Sequence, residues 1–137
     1  MLRMVLIALF LLVTSTASRA EQFSESDRGA IRAVITQQIE AFRADDGVRA
    51  YGYAAPNIQK LFSSPETFMA MVKRGYQPVY RPQSFQFSKP GNDSNQRVTI
   101  IGPDGRTYEA LYTMERQPDG TWRIAGCALL EVPGVNT

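Results

Sequence analysis

Gly102-Pro103-Asp104-Gly105-Arg106 and Gln117-Pro118-Asp119-Gly120-Thr121 share one Pro-Asp-Gly centre, repeated after fifteen residues. In each copy Pro presets the first turn position, Asp suits the second, and Gly takes the left-handed third. That combination makes a three-residue hairpin loop closed by a glycine bulge. The segments around the two turns, 97–101, Thr107–Arg116 and Trp122–Glu131, then form an antiparallel meander. Pairing Gly102 with Arg106 sets Ile100 opposite Tyr108 and Val98 opposite Ala110. Pairing Gln117 with Thr121 sets Met114 opposite Ile124, Tyr112 opposite Gly126, Ala110 opposite Ala128 and Tyr108 opposite Leu130. All of these fall on one face. The other face collects Thr99 with Glu109, Glu115 with Arg123, and Arg97, Thr107, Leu111, Thr113, Cys127 and Leu129. A slip of one residue exchanges the faces, and the two turns agree on which face is apolar.

Upstream of the meander, residues 84–89 alternate, with Phe85 and Phe87 on one side, and 79–81 reads as a short extended edge piece between Pro78 and Pro82. The chain before that is helical. Ile31, Val34, Ile35, Ile39 and Phe42 recur at three- and four-residue steps and predict an amphipathic helix over roughly 27–44, behind the cap-rich Ser24-Glu25-Ser26-Asp27. Asp45-Asp46-Gly47 breaks it. One of the two carboxylates is expected to cap a short second helix over 47–54, which Ala55-Pro56-Asn57 ends. Ser64-Pro65-Glu66 starts a third, closed by Lys73, Arg74 and Gly75. The expected fold class is α+β: three N-terminal helices packed on a curved antiparallel sheet.

The opening residues predict where the protein works. Arg3, the apolar run from Met4 to Val13 and the small residues ending in Ser18-Arg19-Ala20 have the layout of a secretory signal peptide. The run is about half the ~20 residues a membrane helix needs. Residues 1–20 are therefore expected to be an export signal and no stable membrane anchor. Residues 21–137 are expected to be one domain, periplasmic or secreted. The formal charge of +2 comes from Arg3 and Arg19, and without them thirteen basic residues meet thirteen acidic ones. A balanced charge gives no reason to expect a nucleic-acid partner. The one cysteine, Cys127, closes no internal disulfide. With no histidine, Ser-His-Asp and Cys-His nucleophile arrangements are impossible, and no zinc or copper site and no cofactor is expected.

Three helices followed by a sheet ending in Asp119-Gly120-Thr121-Trp122-Arg123-Ile124-Ala125-Gly126 resemble the nuclear-transport-factor-2-like superfamily, with its ketosteroid-isomerase-like and polyketide-cyclase-like branches. The segments Gln38-Ile39-Glu40-Ala41-Phe42, Tyr51-Gly52-Tyr53-Ala54-Ala55-Pro56 and Trp122-Arg123-Ile124-Ala125-Gly126-Cys127 also resemble an uncharacterised exported bacterial family, a domain of unknown function. The resemblance implies a cone-shaped, cystatin-like fold. It leaves the function open, because such folds host isomerases, dehydratases, ligand binders and assembly modules.

Ala110, Gly126 and Ala128 offer little side-chain volume on the apolar face. Either they leave a hollow under the helices, or Tyr112 lies across Gly126 and fills it. The candidate pocket lining is Tyr51, Tyr53, Tyr108, Tyr112, Trp122 and Gly126. The first expectation is a non-enzymatic exported domain that binds a small apolar ligand or a protein partner. The second is an isomerase or lyase in which Tyr112 polarises a carbonyl, helped by Tyr51 or Tyr53; this needs an inward carboxylate. No catalytic residue is assigned. The third is a dimerisation module, with Leu111, Cys127 and Leu129 forming an apolar strip on the outer sheet face.

Overall fold

The computed structural model describes residues 23–134 apart from 90 and 92; the predicted export signal and the last three residues lie outside them. The first helix, α1, runs Glu25–Arg43. Ser24 closes a capping box: its Oγ accepts from Asp27 N at 3.0 Å, and the Asp27 carboxylate accepts from Ser24 N at 3.1 Å. Ile31, Ile35, Ile39 and Phe42 form the buried stripe the spacing predicts. Asp45, with φ of 50°, turns the chain. Asp46 then caps α2 (Gly47–Gly52), its carboxylate accepting from Arg49 N at 3.1 Å. Ser64 caps α4 (Pro65–Gly75) as expected.

The helix count differs from the expectation, because two short helices join these three. The first, α3, spans Pro56–Leu61 where an end to the second helix was predicted. Its N-cap is Ala55, which offers no side-chain oxygen, so the usual start signal is missing; Pro56 at the first helical position is the remaining cue. The second, α5, spans Gln77–Tyr80 and replaces the expected extended piece. Pro78 suits the first turn of a helix as well as a strand edge, because either position spares its missing N–H.

Strands β1 (Ser84–Phe87), β2 (Gln96–Ile101), β3 (Thr107–Arg116) and β4 (Trp122–Glu131) form one open antiparallel sheet in chain order. Both Pro-Asp-Gly loops close as predicted. Gly102 N donates to Arg106 O at 2.9 Å and Gln117 N to Thr121 O at 2.7 Å. Gly105 and Gly120 hold φ of 79° and 85°, where a Cβ is disfavoured. Ile100 faces Tyr108, Val98 faces Ala110, Met114 faces Ile124 and Glu115 faces Arg123, all as counted from the turns. The helices pack against the face carrying Val98, Ile100, Ala110, Tyr112, Met114 and Ile124, so the architecture is α+β.

Beyond Ile124 the predicted register fails. Thr113 pairs with Gly126 while Met114 still pairs with Ile124, so Ala125 has no partner on β3. This is a β-bulge, and one extra residue reverses the facing of everything after it. Tyr112 therefore faces Cys127, not Gly126, and Ala110 faces Leu129, not Ala128. Cys127 and Leu129 lie on the helix side, packed against the core. Leu130 moves to the outer face and is 61 % exposed. The expected apolar strip of Leu111, Cys127 and Leu129 thus does not share a face, and the small-residue patch of Ala110, Gly126 and Ala128 is split across the sheet.

The cause is tertiary. The link between α2 and α3 lies along β4 and takes its backbone groups. Ile124 N donates to Tyr53 O at 2.8 Å, Ala55 N donates to Ile124 O at 2.8 Å, and Asn57 Nδ2 donates to Ala125 O at 3.0 Å. The bulged residue is held by the helical layer.

Candidate functional site

The bulge places Cys127 under the helices, and a cavity opens beside it. Its volume is about 290 Å³. For scale, an apolar cavity of roughly 150 Å³ accepts benzene. The floor is Tyr112 on β3 with Ile124, Gly126 and Cys127 on β4. The walls are Ile58 and Leu61 on α3 with Phe62 after it, Phe68, Met71 and Val72 on α4, then Tyr76 and Val79. Gln38 of α1 and Ala54 close the inner end. Leu61, one of the lining residues, is 72 % exposed and marks an apolar rim.

Each wall has a local reason. Pro65 and the Ser64 cap set the start of α4, so that Phe68 and Val72, four residues apart, face inward. Tyr51 ties the 59–62 segment down: its hydroxyl donates to Gln59 O at 2.9 Å and Phe62 O at 2.6 Å. Tyr76 donates to Cys127 O at 3.2 Å, joining the end of α4 to the strand beyond the bulge.

The lining is apolar except for four side chains. Gln38 donates through Nε2 to Ala50 O at 3.1 Å, and the Tyr76 hydroxyl is used as described. The other two are the Tyr112 hydroxyl and the Cys127 thiol. Tyr112 is 1 % exposed, and its buried hydroxyl has no hydrogen-bond partner among the described residues. Burial raises its pKa well above the usual phenol value, with the neighbouring Cys127 adding to the shift. Burial likewise pushes the Cys127 thiol up to about 12, opposed in part by Tyr112. Both groups are therefore neutral at physiological pH, and the thiol is a poor nucleophile. Among the described residues no carboxylate, lysine or arginine lines the cavity. No group of His, Cys, Asp and Glu among them is arranged to hold a metal ion.

Of the six lining residues predicted from sequence, the structure brings two to the cavity, Tyr112 and Gly126. Tyr51 stands behind the wall and braces it. Tyr53 accepts from Arg49 Nε at 3.4 Å, near the surface. Tyr108 reaches back to its own hairpin, where its hydroxyl donates to Asp104 Oδ2 at 2.6 Å. Trp122 is buried against Phe23, ring centroids 5.7 Å apart, with the Arg116 guanidinium 4.8 Å above it. Cys127, Ile58, Phe62 and Met71 were not predicted to line a pocket. The first depends on the bulge, and the others lie on or beside α3 and α4, whose apolar positions alone do not say what they face.

A second hollow, between Asp45, Val48, Glu66, Met69 and Lys73, lies on the surface. Its Asp45 carboxylate is engaged by the Tyr80 hydroxyl and by Arg81 Nη2 at 2.9 Å. Those partners, the Tyr80 hydrogen bond first, hold its pKa below the usual carboxylate value. This tie secures the turn after α1 to α5.

A family model described as a domain of unknown function (DUF4864) matches residues 24–137. No curated protein and no solved structure matches the chain.

Proposed function

We propose that this chain, which belongs to the DUF4864 family of domains of unknown function, is an exported, non-enzymatic domain that binds a small apolar molecule between α3, α4 and β4. The observation that carries this reading is the 290 Å³ apolar cavity with an exposed leucine at its rim. Apolar concave sites with a few placed polar groups are the usual form of small-molecule sites. Binding is favoured over catalysis by the lining itself. The described residues there offer no carboxylate or amine to shuttle a proton, and the two inward polar groups stay neutral. Export is supported by the sequence pattern of residues 1–20.

Naphthalene is a suitable probe, being larger than the benzene that fits a cavity half this size. Its titration into the protein, followed by backbone amide shifts, is expected to saturate with a Kd below about 1 mM. The shifts should concentrate at Met71, Tyr76 and Cys127. Met71→Trp, which fills the half-buried outer part of the cavity, should abolish saturation. Dispersed, non-saturating shifts in the unmodified protein would refute the reading.

A further inference from the structure

Among the described lining side chains, the Tyr112 hydroxyl is the buried oxygen that has no hydrogen-bond partner. It sits in a close-packed interior, where an unmade hydrogen bond is costly and rare. Replacement by Phe would keep the ring and spare that cost, so the hydroxyl does not serve packing. Cys127, which lines the cavity, stands directly opposite Tyr112 on the neighbouring strand; its thiol interacts weakly with the hydroxyl, in a contact that falls short of hydrogen-bond geometry. The thiol side chain turns about a single χ angle, and both side chains line the cavity. No charged side chain among the described residues lines the space, so an ionic ligand head would lose its water with nothing to replace it.

We infer that the ligand is an uncharged molecule carrying one acceptor oxygen, a ketone, aldehyde or ester carbonyl, which takes the hydrogen of Tyr112 Oη once the Cys127 side chain turns aside. The cavity fits a body of about two fused rings, or an alkyl chain of similar volume. This inference rests on the apolar-ligand reading and adds its polar selectivity. Selection comes from relieving a donor that is otherwise buried unpaired, and a hydrocarbon of the same shape cannot relieve it.

Three naphthalenes of matched size separate the possibilities by calorimetric titration: 2-acetylnaphthalene, 2-isopropenylnaphthalene and 2-naphthoate. The ketone should bind about tenfold more tightly than the isosteric alkene. The carboxylate should bind most weakly. Tyr112→Phe should make ketone and alkene bind equally, and Cys127→Ala should keep or enlarge the ketone preference. Equal binding of ketone and alkene by the unmodified protein would overturn this inference and leave the apolar pocket standing. Loss of the preference in Cys127→Ala would also overturn it, because the thiol would then be the donor. Binding of none of the three would refute both readings.

Discussion

Replacing Tyr112 with Phe should make the protein more stable. The substitution removes one oxygen and keeps the ring that covers the sheet centre. In the native state that oxygen is buried and has no hydrogen-bond partner among the described residues, whereas in the unfolded chain water satisfies it. An unsatisfied buried donor costs about 1–3 kcal/mol. Against this stands a weak contact with the Cys127 thiol and a small void where the oxygen was. A net gain of about 1 kcal/mol is expected, which for a domain of this size raises Tm by about 4 °C. Tyr76→Phe is the matched control. It makes the same chemical change where the hydroxyl donates to Cys127 O at 3.2 Å, so it should destabilise by about 1 kcal/mol. Urea melts followed by fluorescence of the only tryptophan, the buried Trp122, report both variants. The contrast in sign is the test. If Tyr112→Phe destabilises as much as Tyr76→Phe, the Tyr112 hydroxyl has a partner in solution, and it provides no seat for a ligand.

The bulge and the thiol give two further expectations. Leu129→Asp places a carboxylate on the helix side of β4 and should cost about 2 kcal/mol or more, while Leu130→Asp, at a site 61 % exposed, should cost under about 0.5 kcal/mol. Equilibrium denaturation distinguishes them, and the reverse order would mean that the strands pair without the bulge. Cys127 should label slowly with a thiol reagent at pH 7, because a thiol pushed from 9.0 to about 12 has roughly a thousandfold less thiolate. Its folded pKa lies above the unfolded one. The associated stability is therefore complete below about pH 9 and is lost as pH rises from there through about 12. Cys127→Ala should flatten that alkaline fall in urea midpoints, and an unchanged fall would contradict the burial of the thiol.

Much of this fold is legible in local chemistry. Ser24 and Ser64 announce helix starts because their side chains bond the first free N–H groups of the helix they open. Asp46 caps α2, the role expected of one of the two carboxylates at that break. Each Pro-Asp-Gly loop is closed by its own residues, with Asp104 Oδ1 accepting from Arg106 N at 2.9 Å and Asp119 Oδ1 from Thr121 N at 3.0 Å. The α3 and α5 helices were not legible, because neither has a side-chain cap hydrogen bond and both rest on neighbours. The candidate site was half legible. Tyr112 is fixed inward by counting along β3 from either turn, and that count holds. Tyr51, Tyr53 and Tyr108 have the same side-chain chemistry, and only their partners show that they brace the structure around the cavity or near the surface.

Sequence by itself determined the starts of α1, α2 and α4, the two hairpins, the inward face of β3 and the poverty of acid–base groups, since each follows from residues within a few positions or from composition. Tertiary structure alone decided the facing of β4 after Ile124, and with it the pocket. The bulge at Ala125 is held by backbone bonds with Tyr53 and Ala55 and by the Asn57 side chain, about seventy residues earlier, and no pattern within the strand encodes their arrival. Because side chains alternate along a strand, that single unpaired residue turned Cys127 from the outer face to the one under the helices, beside the hydroxyl of Tyr112.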